Sequence, residues 1–327
     1  MAKAQRNTGL DRWAEQILAG DARAVARAIS AVENRTPESR ELLQQLFPHT
    51  GRAVTIGVTG SPGTGKSTLV DGLAALLRRQ GHTVGILAVD PSSPFSGGAI
   101  LGDRVRMQAH STDPGIYIRS MATRGALGGL SAGTRDAAVV LDAAGKEYIL
   151  VETVGVGQDE VDVMRLADVT LVLLVPCMGD DVQAFKAGIM EIADIFVLNK
   201  ADLDGADRVE AEIRALLNLA PPGPEWQPPI VRTVATRQEG VEELIETVLR
   251  CLDVSRKQGR LEQRKIEHWR ERIIELLREK LLDRVLGQVV QNGDLNQYAA
   301  AVAARRADPY SVTDKILEQA GWRGTER

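Results

Sequence analysis

Three short stretches carry side chains whose types and spacing suit the chemistry of a nucleoside triphosphate. The first is Gly60-Ser61-Pro62-Gly63-Thr64-Gly65-Lys66-Ser67, which fits G-x-x-x-x-G-K-[ST], a phosphate-binding loop. Its glycines let successive backbone N–H groups turn inward, and a helix starting at its end adds a positive dipole terminus. Residues Gly60, Ser61, Pro62, Gly63, Thr64, Gly65, Lys66, Ser67 and Thr68 are therefore the expected phosphate contacts. Lys66 is expected to reach the β- and γ-phosphates, and Ser67 to offer its hydroxyl to Mg²⁺.

The second stretch, Asn199-Lys200-Ala201-Asp202, follows an apolar run and fits N-K-x-D. An Asp carboxylate can accept from the ring N–H and exocyclic amine of guanine, and adenine offers no such donor pair. A site built around a specific polar edge can reject the analogue lacking it by about 10⁴–10⁵. The Lys200 stem is expected along the base face, with Asn199 tying neighbouring loops. Ala235 stands where a backbone N–H would meet the guanine oxygen.

The third stretch is Glu152-Thr153-Val154-Gly155-Val156-Gly157-Gln158. An acid at a strand end can hold Mg²⁺ through its water shell, and Gly155 can give its N–H to the γ-phosphate. Ordinary GTPases carry Asp-x-x-Gly here, so the longer Glu152 suits a contact through water. Gln158 lies three residues past Gly155, too far along for a water-orienting role. Asp90 and Asp103 can also approach the metal, the alternative being an Asp cap at a helix start. The reading takes Lys66, Asp90, Asp103 and Glu152 as the catalytic set, and Ser67, Asp90, Asp103 and Glu152 as the metal set.

These side chains need a rigid carrier. Seven apolar, β-rich runs start near Val54, Val84, Ile116, Tyr148, Val169, Ile195 and Ile230, with helical patterns between most of them. Near-continuous apolar strands imply cover on both faces, hence an α/β fold with a doubly wound, largely parallel sheet. In that fold ligands bind at the carboxyl ends of the strands, where the three motifs fall. The expected organisation is an N-terminal helical extension over 1–50, a nucleotide domain over 51–254 and a helical region over 255–327. In the extension, Asp21 caps one helix and Thr36 caps another that starts at Pro37. From Ser255 to Val290 the chain reads as one long amphipathic helix, with Ile266, Trp269, Ile273, Leu277 and Leu281 as its stripe. Residues 220–229 hold five prolines and read as a surface loop, in which Trp226 is either an anchor or a contact residue.

The bulk composition narrows the class further. The 327 residues, 44% hydrophobic, suffice for a sizeable core. A net charge of −4 gives no basic field for nucleic acid. Cys177 and Cys251 lie far apart, which argues against a disulfide scaffold or a zinc site, and the four histidines form no cluster. The longest apolar run is too short to span a bilayer, and the N-terminus lacks a signal core, so cytoplasmic residence is expected.

Further stretches carry a family resemblance. Val89-Asp90-Pro91-Ser92-Ser93-Pro94, Gly102-Asp103-Arg104-Val105-Arg106-Met107, Arg124-Gly125-Ala126-Leu127-Gly128-Gly129-Leu130, the Glu152 motif and Gly188-Ile189-Met190-Glu191 closely resemble the MeaB/ArgK GTPases. These are chaperones of adenosylcobalamin-dependent methylmalonyl-CoA mutase, within the SIMIBI class of P-loop GTPases. The resemblance implies a homodimer built through the C-terminal helices and slow GTP hydrolysis to GDP, accelerated by the mutase. It implies a role in gating cofactor transfer and in protecting the mutase, so adenosylcobalamin enters only through the partner. It also implies that Gly179 to Lys186 is an additional switch loop, with Asp180, Asp181, Gln183 and Lys186 signalling to the partner. The family usually has Glu-Leu where this chain has Asp181-Val182, which leaves open which acyl-CoA mutase is served.

Two other classes fit parts of the pattern. A nickel metallochaperone GTPase would be expected to carry a His-rich tract or a Cys/His pair. A kinase serving amino-acid transport would need a phosphoacceptor site.

Overall fold

The strand that leads into the phosphate loop lies at the centre of a parallel sheet. A computed structural model of the chain describes residues 8–90, 112–122, 132–153, 166–176, 192–219, 226–291 and 294–321. Among these, seven strands form: β1 (Val54–Gly60), β2 (Val84–Asp90), β3 (Ile116–Ala122), β4 (Tyr148–Glu152), β5 (Val169–Leu174), β6 (Ile195–Asn199) and β7 (Ile230–Thr233). Their order is β3-β2-β4-β1-β5-β6-β7, and every neighbouring pair is parallel. The order turns back on itself around β1, and the crevice at such a switch point is where open α/β sheets bind ligands.

Both faces of the sheet are covered, which is why β4, β5 and β6 are buried along their whole length. On one face Ile56, Val58, Leu150, Leu171 and Val197 pack with α4 (Lys66–Arg79) and α7 (Val241–Lys257). Leu69, Leu73 and Leu77 are the buried stripe of α4, each contributing about 1.5–3 kcal/mol by leaving water. The opposite face divides. Leu87, Val89, Ile149 and Val151 pack under α1 (Thr8–Leu18), α2 (Ala22–Glu33), α3 (Pro37–Leu46) and α5 (Ala132–Ala143). Val172, Phe196 and Leu198 pack under α6 (Ala206–Leu219). The N-terminal helices are thus one cover of the sheet.

Carboxylates pin the strand starts. Asp142 accepts from the backbone N–H groups of Gly51, Arg52 and Ala53. Asp168 accepts from Thr55 N–H at 2.9 Å, and Asp194 from Thr170 N–H at 2.9 Å. These bonds satisfy donors at the edge of the sheet remote from the phosphate loop and hold β1 and β5 in register.

Three local expectations change or resolve. Asp21 caps α2 through Ala24 N–H at 2.7 Å, but the Thr36 hydroxyl makes no cap bond to α3. There the Thr36 carbonyl accepts from the Ser39 hydroxyl at 2.6 Å instead. The long helix does not begin at Ser255. Ser255 belongs to α7, the chain turns through left-handed Gly259 (φ 70°), and α8 runs from Arg260 to Gln291. Trp226 is an anchor: its indole N–H donates to the Asp194 carbonyl at 2.9 Å, and its ring packs on the core.

By contact the chain divides into units 1–261 and 262–327. The second unit holds most of α8, α9 (Asp294–Ala303) and α10 (Pro309–Gln319), the last capped by Asp308 through Tyr310 and Ser311 N–H. Ile266, Ile273, Leu277 and Leu282 of α8 are each more than half exposed. Among the described residues no helix is long and apolar enough to cross a membrane.

Candidate functional site: a nucleotide crevice at the strand ends

The phosphate loop departs from the end of β1 and feeds α4. Gly60, Gly63 and Gly65 all have left-handed φ, at 141°, 82° and 91°. Two of them also have no room for a side chain. A Cβ on Gly60 would stand 2.5 Å from the Leu173 carbonyl, and one on Gly65 2.5 Å from Asn199 Nδ2. Lys66 is buried, and its Nζ donates to the Gly60 carbonyl at 2.7 Å and the Ser61 carbonyl at 3.1 Å. The ammonium is thereby bonded back to the first two residues of the loop. Thr64 closes the turn through its hydroxyl to the Ser61 carbonyl at 2.9 Å.

Ser67 and Glu152 come together although they lie 85 residues apart: the hydroxyl donates to Glu152 Oε1 at 2.6 Å. The register of β1 with β4 sets this up, pairing Val58 with Glu152 so that both strand ends reach the loop. Thr153 adds two ties. Its N–H donates to the Val58 carbonyl at 3.1 Å, and its hydroxyl donates to the Thr59 hydroxyl at 3.0 Å. Both hydroxyls are fully buried, so Glu152 leaves a fixed strand end.

Asn199 ends β6 and joins three loops. Its Nδ2 donates to the Thr64 carbonyl at 2.8 Å, and its Oδ1 accepts from the Thr233 hydroxyl and from Ala235 N–H, both at 3.1 Å. Lys200 has left-handed φ (55°), and its Nζ donates to the Gly63 carbonyl at 2.8 Å. Ala201 N–H donates to the Thr233 carbonyl at 3.1 Å, carrying the chain on to Asp202. Asp202 Oδ2 accepts from Arg237 Nη2 at 2.8 Å.

The fold therefore gathers Gly60 to Thr68, Glu152, Asn199, Lys200, Asp202 and Ala235 at the carboxyl ends of β1, β4, β6 and β7. Asp90 ends β2, but its side chain lies outside the described residues, as do Asp103, Gly155, Gln158, Asp180, Asp181, Gln183 and Lys186. The sequence reading missed the Thr59–Thr153 hydroxyl pair and the partner of Asp202. Neither has a spacing signal, because each joins residues more than thirty positions apart.

A phosphate loop bonded directly to an Asn-Lys-x-Asp loop, on a parallel sheet of this order, defines the class of P-loop GTPases. The chain belongs to one family within that class, since a family model described as Methylmalonyl Co-A mutase-associated GTPase MeaB matches residues 25–290. It is 46% identical over 316 residues to a Pyrococcus abyssi protein with a provisional GTPase name, covering 95% of this chain and 96% of that one. It is 36% identical over 287 residues to the GTPase ArgK of Escherichia coli, covering 85% and 86%. A solved structure titled LAO/AO transport system kinase superposes with a TM-score of 0.69 at 28% identity, covering 97% of this chain and 99% of that one. GTP hydrolysis is accordingly the reaction of this chain.

Proposed function

We propose that this GTPase serves as the chaperone of an adenosylcobalamin-dependent acyl-CoA mutase, with methylmalonyl-CoA mutase the first candidate. The match over residues 25–290 to a family described as mutase-associated carries this reading. GTP binding and hydrolysis would gate cofactor loading and protect the mutase, and the cofactor would belong to that partner. Cytoplasmic residence follows as part of the same reading.

Within the site, the triphosphate would be cradled by the loop amides and the Lys66 ammonium, which is bonded to the Gly60 and Ser61 carbonyls of the loop. Asp202 would accept from the guanine edge, and the Lys200 stem would lie along the base. Ala235 N–H, which donates to Asn199 Oδ1, would reach the guanine oxygen by dividing its donation between the two acceptors. Magnesium fits the donors present: a hydroxyl and a carboxylate, both hard oxygen ligands, meet at Ser67 and Glu152. Ser67 would hold the ion directly and Glu152 through water, joined by Asp90 and Asp103. Bound there, the ion would neutralise charge developing on the phosphate oxygens. What the chain itself supplies is positioning and electrostatic stabilisation, and the intrinsic rate is proposed to be low.

The exposed apolar stripe of α8 supports a homodimer built through the C-terminal helices. Asp180, Asp181, Gln183 and Lys186 are proposed to signal to the mutase. The deciding measurement is GTP turnover by the chain alone and with its cognate mutase. Slow basal turnover raised by the mutase supports the proposal, and fast turnover that the mutase leaves unchanged refutes it. The solved LAO/AO transport system kinase offers a second reading, a kinase of a transport system. Transfer of labelled phosphate to a protein acceptor, in place of release as inorganic phosphate, would favour it.

A further inference from the structure

We infer that Arg237 is a specificity-determining positioning residue, which grips one oxygen of Asp202 and so presents the rest of that carboxylate to the N1–H and exocyclic amine of guanine. The inference rests on the reading of Asp202 as the base acceptor.

The two residues reach each other from separately pinned loops. Asp202 follows Ala201, whose N–H is bonded to the Thr233 carbonyl. Arg237 ends the 3₁₀ turn Ala235–Arg237, and Ala235 N–H is bonded to Asn199 Oδ1. That turn is itself tightly closed. Arg237 N–H donates to the Val234 carbonyl at 2.9 Å, Val234 N–H to the Glu239 carbonyl at 3.1 Å, and Gln238 is left-handed (φ 58°). Gly240 is left-handed too (φ 74°), and a Cβ there would collide with the Arg232 carbonyl. The guanidinium lies between two acids, with Nη2 2.8 Å from Asp202 Oδ2 and Nη1 3.7 Å from Glu239 Oε1.

An ionised carboxylate on an open loop rotates freely, and ordering it costs a ligand entropy. It offers about four lone-pair sites on two oxygens. Arg237 takes one of them through a charge-assisted bond and halts the rotation. The sites left are more than the two that guanine's donors need. The Asp202 side chain is 31% exposed, so this pair is neither deeply desolvated nor fully screened.

Orientation of both oxygens matters more for a base with two donors than for one with a single donor. Guanine has the N1–H and the amine, and hypoxanthine has only the N1–H. Binding of GDP, IDP and ADP to the full chain, wild type, R237M, R237K and D202A, by calorimetry tests this directly. R237M is expected to weaken GDP about three- to fivefold, the range of a partly exposed ion pair, and to lower the GDP-over-IDP preference by a similar factor. R237K, which keeps charge and donor, is expected to stay within about twofold of wild type. In turnover, R237M should raise KM for GTP and leave kcat unchanged. A merely structural role would weaken GDP and IDP equally and leave their ratio intact, and that result overturns the inference, as does unchanged or tighter GDP binding. D202A is expected to abolish the preference for GDP over ADP. If D202A keeps that preference, the base-acceptor reading fails and the Arg237 inference falls with it. If D202A abolishes it while R237M leaves the GDP-over-IDP ratio unchanged, Arg237 alone is excluded.

Discussion

The Asn199 side-chain amide donates to the Thr64 carbonyl at 2.8 Å, so the end of β6 is bonded directly to the phosphate loop 135 residues earlier. The same side chain accepts from Thr233 and Ala235. Replacing it with alanine leaves these buried groups without their partner, at a cost of about 2–4 kcal/mol. Chemical denaturation of Asn199→Ala should show that loss, together with weaker nucleotide binding. A variant as stable as wild type would mean that the loops are held by something else.

Gly65 tests the same junction from the other side. Its φ of 91° and its lack of room beside Asn199 Nδ2 both exclude a side chain. Gly65→Ala should fold, since the loop lies at the end of β1 and outside the packed faces of the sheet, yet lose GDP binding by at least about tenfold as the Asn199 contact is pushed apart. Calorimetry with GDP checks it, and wild-type affinity would contradict the geometry.

Glu152→Gln keeps the shape of the side chain and can still accept from the Ser67 hydroxyl, but it removes the negative charge. If Glu152 holds Mg²⁺ through water, the magnesium concentration needed for half-maximal hydrolysis should rise by about tenfold or more. Nucleotide binding without magnesium should change little. An unaltered magnesium titration would remove Glu152 from the metal site.

Trp226 separates anchoring from contact. Trp226→Phe loses the bond to the Asp194 carbonyl and should cost about 1 kcal/mol of stability. Trp226→Ala also loses packing on the core and, being only partly buried, should cost about 3 kcal/mol, the low end for such a truncation. Affinity for GDP should be the same in both variants and in wild type. A change in affinity without a change in stability would reverse the assignment.

One acid links the base-side strands to pH. Glu210 of α6 accepts from Arg214 and from Arg232 of β7, and these arginines, Arg214 first, hold its pKa below the ordinary value. The folded state thus binds the proton less well than the unfolded chain. The stabilisation is present above the unfolded pKa of about 4.3 and is lost as pH falls through the lower folded value. Both arginines are well exposed, so the effect is about 1 kcal/mol or less. Glu210→Gln should be less stable than wild type at pH 7, with the difference vanishing on acidification. A difference independent of pH would point to packing instead.

Much of this protein could be read without coordinates. Each expected strand forms, because a β-branched, apolar run between glycine-rich breaks has few other ways to bury both of its sides. The phosphate loop and the Asn-Lys-x-Asp loop were legible because each is a contiguous motif, written in consecutive residues rather than assembled across the chain. Helix ends were less legible. Gly259 ends the preceding helix before the expected long one begins, since a single left-handed residue can stop a helix without altering the apolar stripe, which starts only at Ile266.

Tertiary structure alone decided which distant residues share a hydrogen bond. The strand order brings Glu152 beside Ser67, Thr153 beside Thr59, and Asp202 beside Arg237. Sequence periodicity records which side of an element is buried, but not which neighbour buries it. Parallel strands are joined by crossovers, so residues that meet at the sheet's end are set by the order of strands, and that order leaves no local signature.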